Sequence, residues 1–503
     1  MPEYRHPGVY VEEIPSGVRP IEGVPTSITA FIGRAQRGPL NSPTTLHSFN
    51  DFIRRFGSFW KDSELPSALH SYFDNGGSEA IVVRIDNSAT AAAFEISTDP
   101  NTPVLKLLAA NPGKWAEHLR LTITHPSDQT ERFNLEVVDL ESSQTESFRL
   151  LSTDPAEANF IGSTLRESSE LLRLAQINGQ WQCPSQRPPE ITAHAPLPGT
   201  ASDGKPLTKS DFISPQSQQN QKGLYALEKT ESFNLLCIPP YLPKLEVDPS
   251  LTQAAIALCE RKRAIHLIDP PASWSSTTKV LRNQNQLGSQ SGNASVFYPR
   301  IRRPDPLSPQ QTREFAPSAS IAGLIARTDS TRGVWKAPAG IEANIRDASG
   351  LSENLANYDL SRLNARAVNC LRMIGNAGPL VWGARTLAGR NAISSHWKYL
   401  SVRRLALFIE ESMERGLRWV VFEPNDEPLW AQIRLNANAF MNNLFRKGAF
   451  RGQKRSEAYF VKCDNETTTP SDIQNGIANL HIGFAPLKPA EFIIVNLALK
   501  TQT

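Results

Sequence analysis

The chain has 503 residues, 40% hydrophobic and 20% charged, and 53 lysines and arginines against 50 aspartates and glutamates leave a formal charge of +3. That length holds about two to four domains, and the near-balance excludes a function resting on overall attraction to nucleic acid or a membrane surface. The 5 cysteines, at 183, 237, 259, 370 and 463, are odd in number and lack C-x-x-C spacing, which excludes a disulfide framework and a zinc ribbon.

No apolar run approaches the roughly 18 residues of a membrane span, and the first residues carry no apolar signal core, so cytoplasmic assembly without a signal peptide is expected. In chain order, the opening MPEYRHPGVYVEEIPSG has a strand-like centre, Val9, Tyr10, Val11, Glu12, Glu13 and Ile14. Prolines at 2, 7, 15, 20 and 25 cut it off from any helix or tight hairpin, so it reads as an extended arm. Residues 27–33 and 80–85 read as buried strands separated by helical patterns around 49–56 and 68–73. Residues 119–124 and 132–138 then alternate with period two, predicting an inserted, largely β domain over 89–229. Within it, residues 182–222 are rich in Pro, Ser and Gln, and farther on 283–295 are rich in Asn, Gln, Ser and Gly; both read as surface loops of low order. Between those loops, residues 233–238 form an apolar strand, Asp248-Pro249 starts a helix with face Leu251, Ala255 and Leu258, and 264–268 give the next strand. This is a β-α-β unit and places part of the body in the α/β class.

The last third is the most regular. Val402, Leu405, Ile409 and Met413 share a helix face that Gly416 ends, and residues 419–422 read as a strand. A second helix follows Asn425-Asp426-Glu427 with Pro428 in its first turn, buries Trp430, Ile433, Phe440, Met441 and Leu444, and closes at Gly448. Strands are expected at 458–462 and 480–484, and finally in EFIIVNLALK, where Ile493, Val495, Leu497 and Leu499 take one side and Phe492, Ile494 and Asn496 the other. A terminal strand this apolar is an aggregation hazard unless it is paired.

The search for chemistry is mostly negative. There is no G-x-x-x-x-G-K-[ST], G-x-G-x-x-G or H-E-x-x-H pattern. Ser276-Thr-Thr-Lys279 has the S-x-x-K spacing without its companion elements, Gly288 to Gly292 is no nucleophile elbow, and His118 and His125 flank a strand as packing or surface residues. Glu410, Glu411 and Glu414 belong to the solvent face of a helix. No catalytic residue, cofactor or metal is expected. One charge cluster stands out: Arg446, Lys447, Arg451, Lys454 and Arg455 lie within ten residues holding no acid. It reads as an answer to the helix dipole, as a phosphate site, or as a basic edge for an acidic protein partner, and spacing alone does not choose.

The opening PGVYVEE with residues 27–33, NPGKWAEHLRLTI at 111–123, PSASIAGLIARTDSTRGVWKAPAG at 317–340, and the closing RWVVFEPNDEPLW and AEFIIVNLALK resemble the contractile tail sheath proteins of phage tails, R-type pyocins and related injection systems. The resemblance spans nearly the whole chain except about 130–225. It implies an α/β (α+β) multidomain sheath fold: an N-terminal arm over 1–25, an α/β sheath domain over 26–88 and 230–369, the β insertion facing outward, a tube-facing C-terminal α/β domain over 370–488, and a C-terminal arm strand over 489–503. Both arms would add strands to neighbouring subunits, and the five cations would lie at or near the tube-facing surface. The implied partners are copies of this chain with possible sheath paralogues, an inner tube protein, and baseplate and terminator or cap proteins, with no nucleic acid and no membrane insertion. The implied function is helical polymerisation around the tube and contraction that drives it through an envelope, powered by energy stored in the extended lattice. A noncontractile baseplate or shell component is the nearest rival, and a nucleotide-using α/β enzyme a distant one.

Overall fold

The computed structural model describes residues 19–491 apart from 100–101, 178, 185 and 243–245. Both expected arm strands, Val9 to Ile14 and Phe492 to Leu499, therefore lie outside the described residues. The described chain forms two compact units, one of residues 27–331 and 338–400, the other of 19–26, 332–337 and 401–491.

The larger unit is built on an eight-stranded sheet in the order Thr44–Leu46, Ala80–Arg84, Thr29–Gly33, Leu235–Cys237, Ile265–Ile268, Ala294–Tyr298, Val368–Met373, Pro379–Val381. The six inner strands run parallel and the two outermost pair antiparallel. Strands such as Ala80–Arg84 and Ala294–Tyr298 are buried along their whole length, as parallel strands covered on both faces must be, which is why they read as continuous apolar runs. The expected domain boundary at 369/370 falls inside Val368–Met373, and the break between units comes at Leu400/Ser401.

Helix Pro249–Arg261 starts where expected, with the Asp248 side chain accepting from the Ser250 N–H and Pro249 in the first turn. Helix Ser318–Arg332 was not foreseen: Ser318 to Ala326 are all buried, so it has no polar face to set a helical period. Its small residues permit close packing, since a Cβ on Gly323 would lie 2.2 Å from the Tyr72 carbonyl oxygen.

The insertion has a four-stranded antiparallel sheet, Ile191–His194, Leu119–Thr124, Phe133–Asp139, Thr145–Leu151, and a three-stranded one, Ala93–Asp99, Thr102–Ala109, Leu172–Leu174. They share a core running from Ala92 to Ala201. Leu207, Phe212, Leu224 and Leu227 instead pack into the core of the eight-stranded sheet with Phe233 and Leu251, so the insertion's own core ends well before 229. The stretch 182–222 is also more ordered than its composition implies. Thr208 and Ser214 cap the short helices Lys209–Phe212 and Pro215–Gln219, using the hydroxyls that made the segment look like loop.

The smaller unit packs helices Leu400–Gly416 and Glu427–Arg446 against the antiparallel pair Tyr459–Lys462 and His481–Phe484. Residues 419–422 form no strand. Arg418–Val420 is one 3-10 turn whose Trp419 and Val420 pack beside Leu429 and Trp430. Phe422 follows at φ 72° with its ring wholly exposed, because no strand partner is there to hold the segment extended.

Candidate functional site

The strand pair Tyr459–Lys462/His481–Phe484 is set by alternation. Tyr459, Val461, Ile482 and Phe484 face the core containing Leu405, Ile409, Phe440 and Met441, while Phe460, Lys462 and His481 point outward and are exposed. Phe460 lies opposite Gly483 in the register, and a Cβ on that glycine would sit 2.1 Å from the ring, so the aromatic covers the bare backbone. Among the described residues neither outer edge of this pair has a strand partner. Open edges of this kind accept an added strand.

The basic cluster lies beside the same pair. Helix Glu427–Arg446 begins with the Asp426 carboxylate accepting from the Leu429 N–H and ends at Lys447, after which the Arg451 N–H donates to the Ala485 carbonyl at 2.9 Å. Arg446, Lys447, Arg451, Lys454 and Arg455 are all exposed, and among the described residues none is within ion-pairing distance of a carboxylate. Only Arg446 and Lys447 are at the helix end, so the dipole does not account for the other three.

A feature not read from the sequence is the path of residues 19–26, which fall within the expected free arm and instead cross their own helix pair. The Arg19 N–H donates to Asn436 Oδ1 at 3.1 Å, the Val24 N–H to Ser412 Oγ at 3.3 Å, and Arg404 Nη2 to the Thr26 carbonyl at 2.8 Å. The Arg19 guanidinium stands 4.6 Å over the Trp419 ring, and Ile21 is buried with Leu405, Ile409 and Met413. The local hint was the apolar pair Ile21 and Val24 between Pro20 and Pro25.

The motifs weighed for chemistry have structural roles. Ser276 is the N-cap of helix Thr277–Asn283, and Lys279 Nζ donates to Ser275 Oγ at 2.8 Å. His118 is exposed, and His125 Nε2 lies 2.8 Å from the Pro188 carbonyl oxygen. Among the described residues no group of three or more His, Cys, Asp or Glu is arranged to hold a metal ion, and no helix is long and apolar enough to cross a membrane.

Two buried groups, one within strand Ile265–Ile268 and one just after it, border a cavity of about 50 Å³ that Trp274 and Thr252 also line. Burial pushes the His266 imidazole down to about 4, opposed by its hydrogen bond with the Leu236 carbonyl. Burial pushes the Asp269 carboxyl up to about 6, opposed by the Ser318 N–H and hydroxyl it accepts from and by Arg300. Their effects on stability have opposite signs. As pH falls from 6.5 towards 4 the unfolded chain takes a proton on His266 that the folded chain refuses, and stability is lost. As pH falls from 6 towards 3.8 the folded chain takes a proton on Asp269 that the unfolded chain refuses, and stability is gained. Replacing His266 by Gln removes only the first effect. The expected result, read from urea unfolding, is that wild type loses about 3 kcal/mol relative to His266→Gln between pH 7 and pH 4. Parallel pH profiles for the two chains would show that His266 is not held neutral.

With this geometry in view, comparison with known proteins is consistent throughout. The phage tail sheath protein central domain matches residues 216–387 and the phage tail sheath C-terminal domain residues 393–500, together more than half of the chain. The tail sheath protein of Burkholderia phage BcepMu is 25% identical over 467 residues, 90% of this chain and 88% of the relative. The sheath of an extracellular contractile injection system, PVC, in its contracted state superimposes with a TM-score of 0.60 at 20% identity, covering 99% of this chain and 98% of that one. A sheath tail protein from Listeria innocua superimposes with a TM-score of 0.62 at 11% identity, covering 92% and 96%. The fold is thus that of a structural sheath subunit. This chain belongs to the phage tail sheath family.

Proposed function

We propose that this chain is the subunit of a contractile sheath that polymerises helically around an inner tube, docks on a baseplate, and shortens to drive the tube through a target envelope. The observation that carries the reading is the strand pair Tyr459–Lys462 and His481–Phe484, whose two outer edges have no strand partner among the described residues, in a chain whose two terminal segments have strand-like sequence patterns. Val9 to Ile14 and Phe492 to Leu499 add to those edges in neighbouring subunits. A contact of one surface with a different surface on the next copy does not close on itself and propagates as a helix. Contraction follows from two lattice packings of the same subunit separated by a barrier, with free energy from new subunit contacts and no nucleotide hydrolysis or other catalytic step. A static baseplate or shell part is the weaker reading, because both matched domains are those of tail sheaths.

The unit of residues 401–491 faces the tube, and Arg446, Lys447, Arg451, Lys454 and Arg455 meet an acidic tube surface. Reversing these five charges to Glu should leave the fold intact, since all five are exposed, and should abolish tube-templated assembly. Wild-type assembly should weaken as salt rises through the range where exposed charges are screened. Templated assembly that is indifferent both to the reversal and to salt would remove the cluster from the tube interface. The reading as a whole is tested by electron microscopy of particles from cells expressing the chain with its genomic neighbours. Sheathed tubes at two lengths, the shorter ones wider around an exposed tube, are the expected result; dispersed globules would overturn it.

A further inference from the structure

We propose that residues 19–26 are the root of the N-terminal arm: a strap whose grip on its own helix pair sets how far the arm can reach, and so which neighbouring edge it can join. The inference rests on the strand-adding reading above and adds to it the residues that position the arm.

The grip is dense for eight residues. Two fully buried polar side chains, Ser412 and Asn436, take their hydrogen bonds from strap N–H groups, and Arg404 holds the strap's last carbonyl. The close approach is made by two glycines, one on each side of the contact. A Cβ on Gly23 would lie 2.8 Å from Phe408 Cζ, and a Cβ on Gly416 would lie 2.6 Å from Ile21 Cγ2. Neither glycine has a left-handed backbone, so conformation does not call for it; the passing strap does.

The consequence is a short leash. Ile14, the last residue of the arm's strand pattern, is five residues from Arg19, a reach of at most about 18 Å. Were the chain free as far as Ser27, thirteen residues would separate it from Ile14, and the reach would be about 45 Å. Shortening the leash raises the arm's effective concentration at edges within range and denies it those beyond. Arg19, Ile21, Gly23, Gly416, Ser412 and Asn436 therefore act as positioning residues for the strand exchange.

Gly416→Val tests this in the full-length chain expressed with its genomic neighbours. The new side chain collides with Ile21 while the arm sequence and the acceptor strands are unchanged. Cleavage after Glu22 by a glutamyl endopeptidase reports the strap, and the variant should be cut at least about tenfold faster with its melting temperature little changed. Its sheaths, seen by electron microscopy, should be few, short or irregular in diameter. Gly23→Val attacks the same contact from the other side and should behave alike, which guards against a local folding defect in either variant. Rapid cleavage with sheaths of wild-type length and diameter would overturn the proposal, and so would cleavage that neither substitution accelerates. Deleting residues 1–18 separates the two readings. If that deletion blocks assembly while Gly416→Val assembles normally, the root fails and strand addition stands; if the deletion also assembles normally, strand addition itself has failed.

Discussion

A chain lacking residues 1–18 should fold, remain a soluble monomer, and form no sheath. All the described core residues, from Ile21 onward, and the strap at 19–26 are retained in the truncated chain. What the deletion removes is the segment Val9 to Ile14, which we propose adds to the Tyr459–Lys462/His481–Phe484 pair of a neighbour. Six strand residues form about three to six main-chain hydrogen bonds, each worth about 0.5 to 1.5 kcal/mol net, and alternate side chains bury apolar area at about 25 cal/mol per Å². The hydrogen bonds alone come to about 1.5 to 9 kcal/mol per subunit, before the apolar burial is added. Because every subunit in a helical lattice makes the contact, assembly should fall by orders of magnitude at fixed protein concentration. Sedimentation together with electron microscopy measures it, and sheaths of normal length from the truncated chain would refute trans pairing.

Within the larger unit, Asp347→Ala should be the most damaging single substitution among those considered, costing about 3 to 5 kcal/mol of stability. Asp347 Oδ2 lies 3.3 Å from Arg303 Nη1, with side chains only 6% and 4% exposed. The same carboxylate accepts from Asn75 Nδ2 at 2.7 Å and Ser320 Oγ at 3.3 Å, joining helix Leu65–Asp74, helix Ser318–Arg332 and strand Ile301–Asp305. Arg303 keeps a bond to the Ser67 carbonyl and its place over Phe315, so the truncation strands a guanidinium that burial already disfavours in its charged form. The contrast is the cross-strand pair of the neighbouring Arg302 with Glu314, 2.9 Å apart but with both side chains more than 40% exposed. Glu314→Ala should cost no more than about 1 kcal/mol. Urea unfolding of the two variants side by side tests the difference, and equal small losses would show that the Arg303 site rehydrates when its partner is removed.

Much of this protein was determined by its sequence alone, wherever a residue's signal comes from its neighbours in the chain. Helix Glu427–Arg446 was legible because Asp426 caps it, Pro428 opens it, and Trp430, Ile433, Phe440, Met441 and Leu444 recur on one face. Strands such as Ala80–Arg84 and Leu119–Thr124 were legible from a continuous apolar run in one case and strict alternation in the other. The family was legible from motifs spread along the chain, and the two matched domains bear it out.

The tertiary structure decided the rest. Helix Ser318–Arg332 is buried on every side of its first nine residues, so its pattern has no period and only its surroundings make it a core helix. Residues 419–422 had the composition of a strand but pair with no strand among the described residues, and Trp419 and Val420 instead found apolar partners near the start of helix Glu427–Arg446. Leu207, Phe212, Leu224 and Leu227 fall within the expected insertion over 89–229 yet belong to the core of the eight-stranded sheet, because burial is settled by proximity in space. The strap is the clearest case. Arg19 and Asn436 are 417 residues apart, and the reason Gly416 must lack a side chain is the Ile21 that crosses it. Caps, breakers and periodicity are short-range properties that a chain displays before it folds, whereas a close approach belongs to two segments at once and exists only when both are in place.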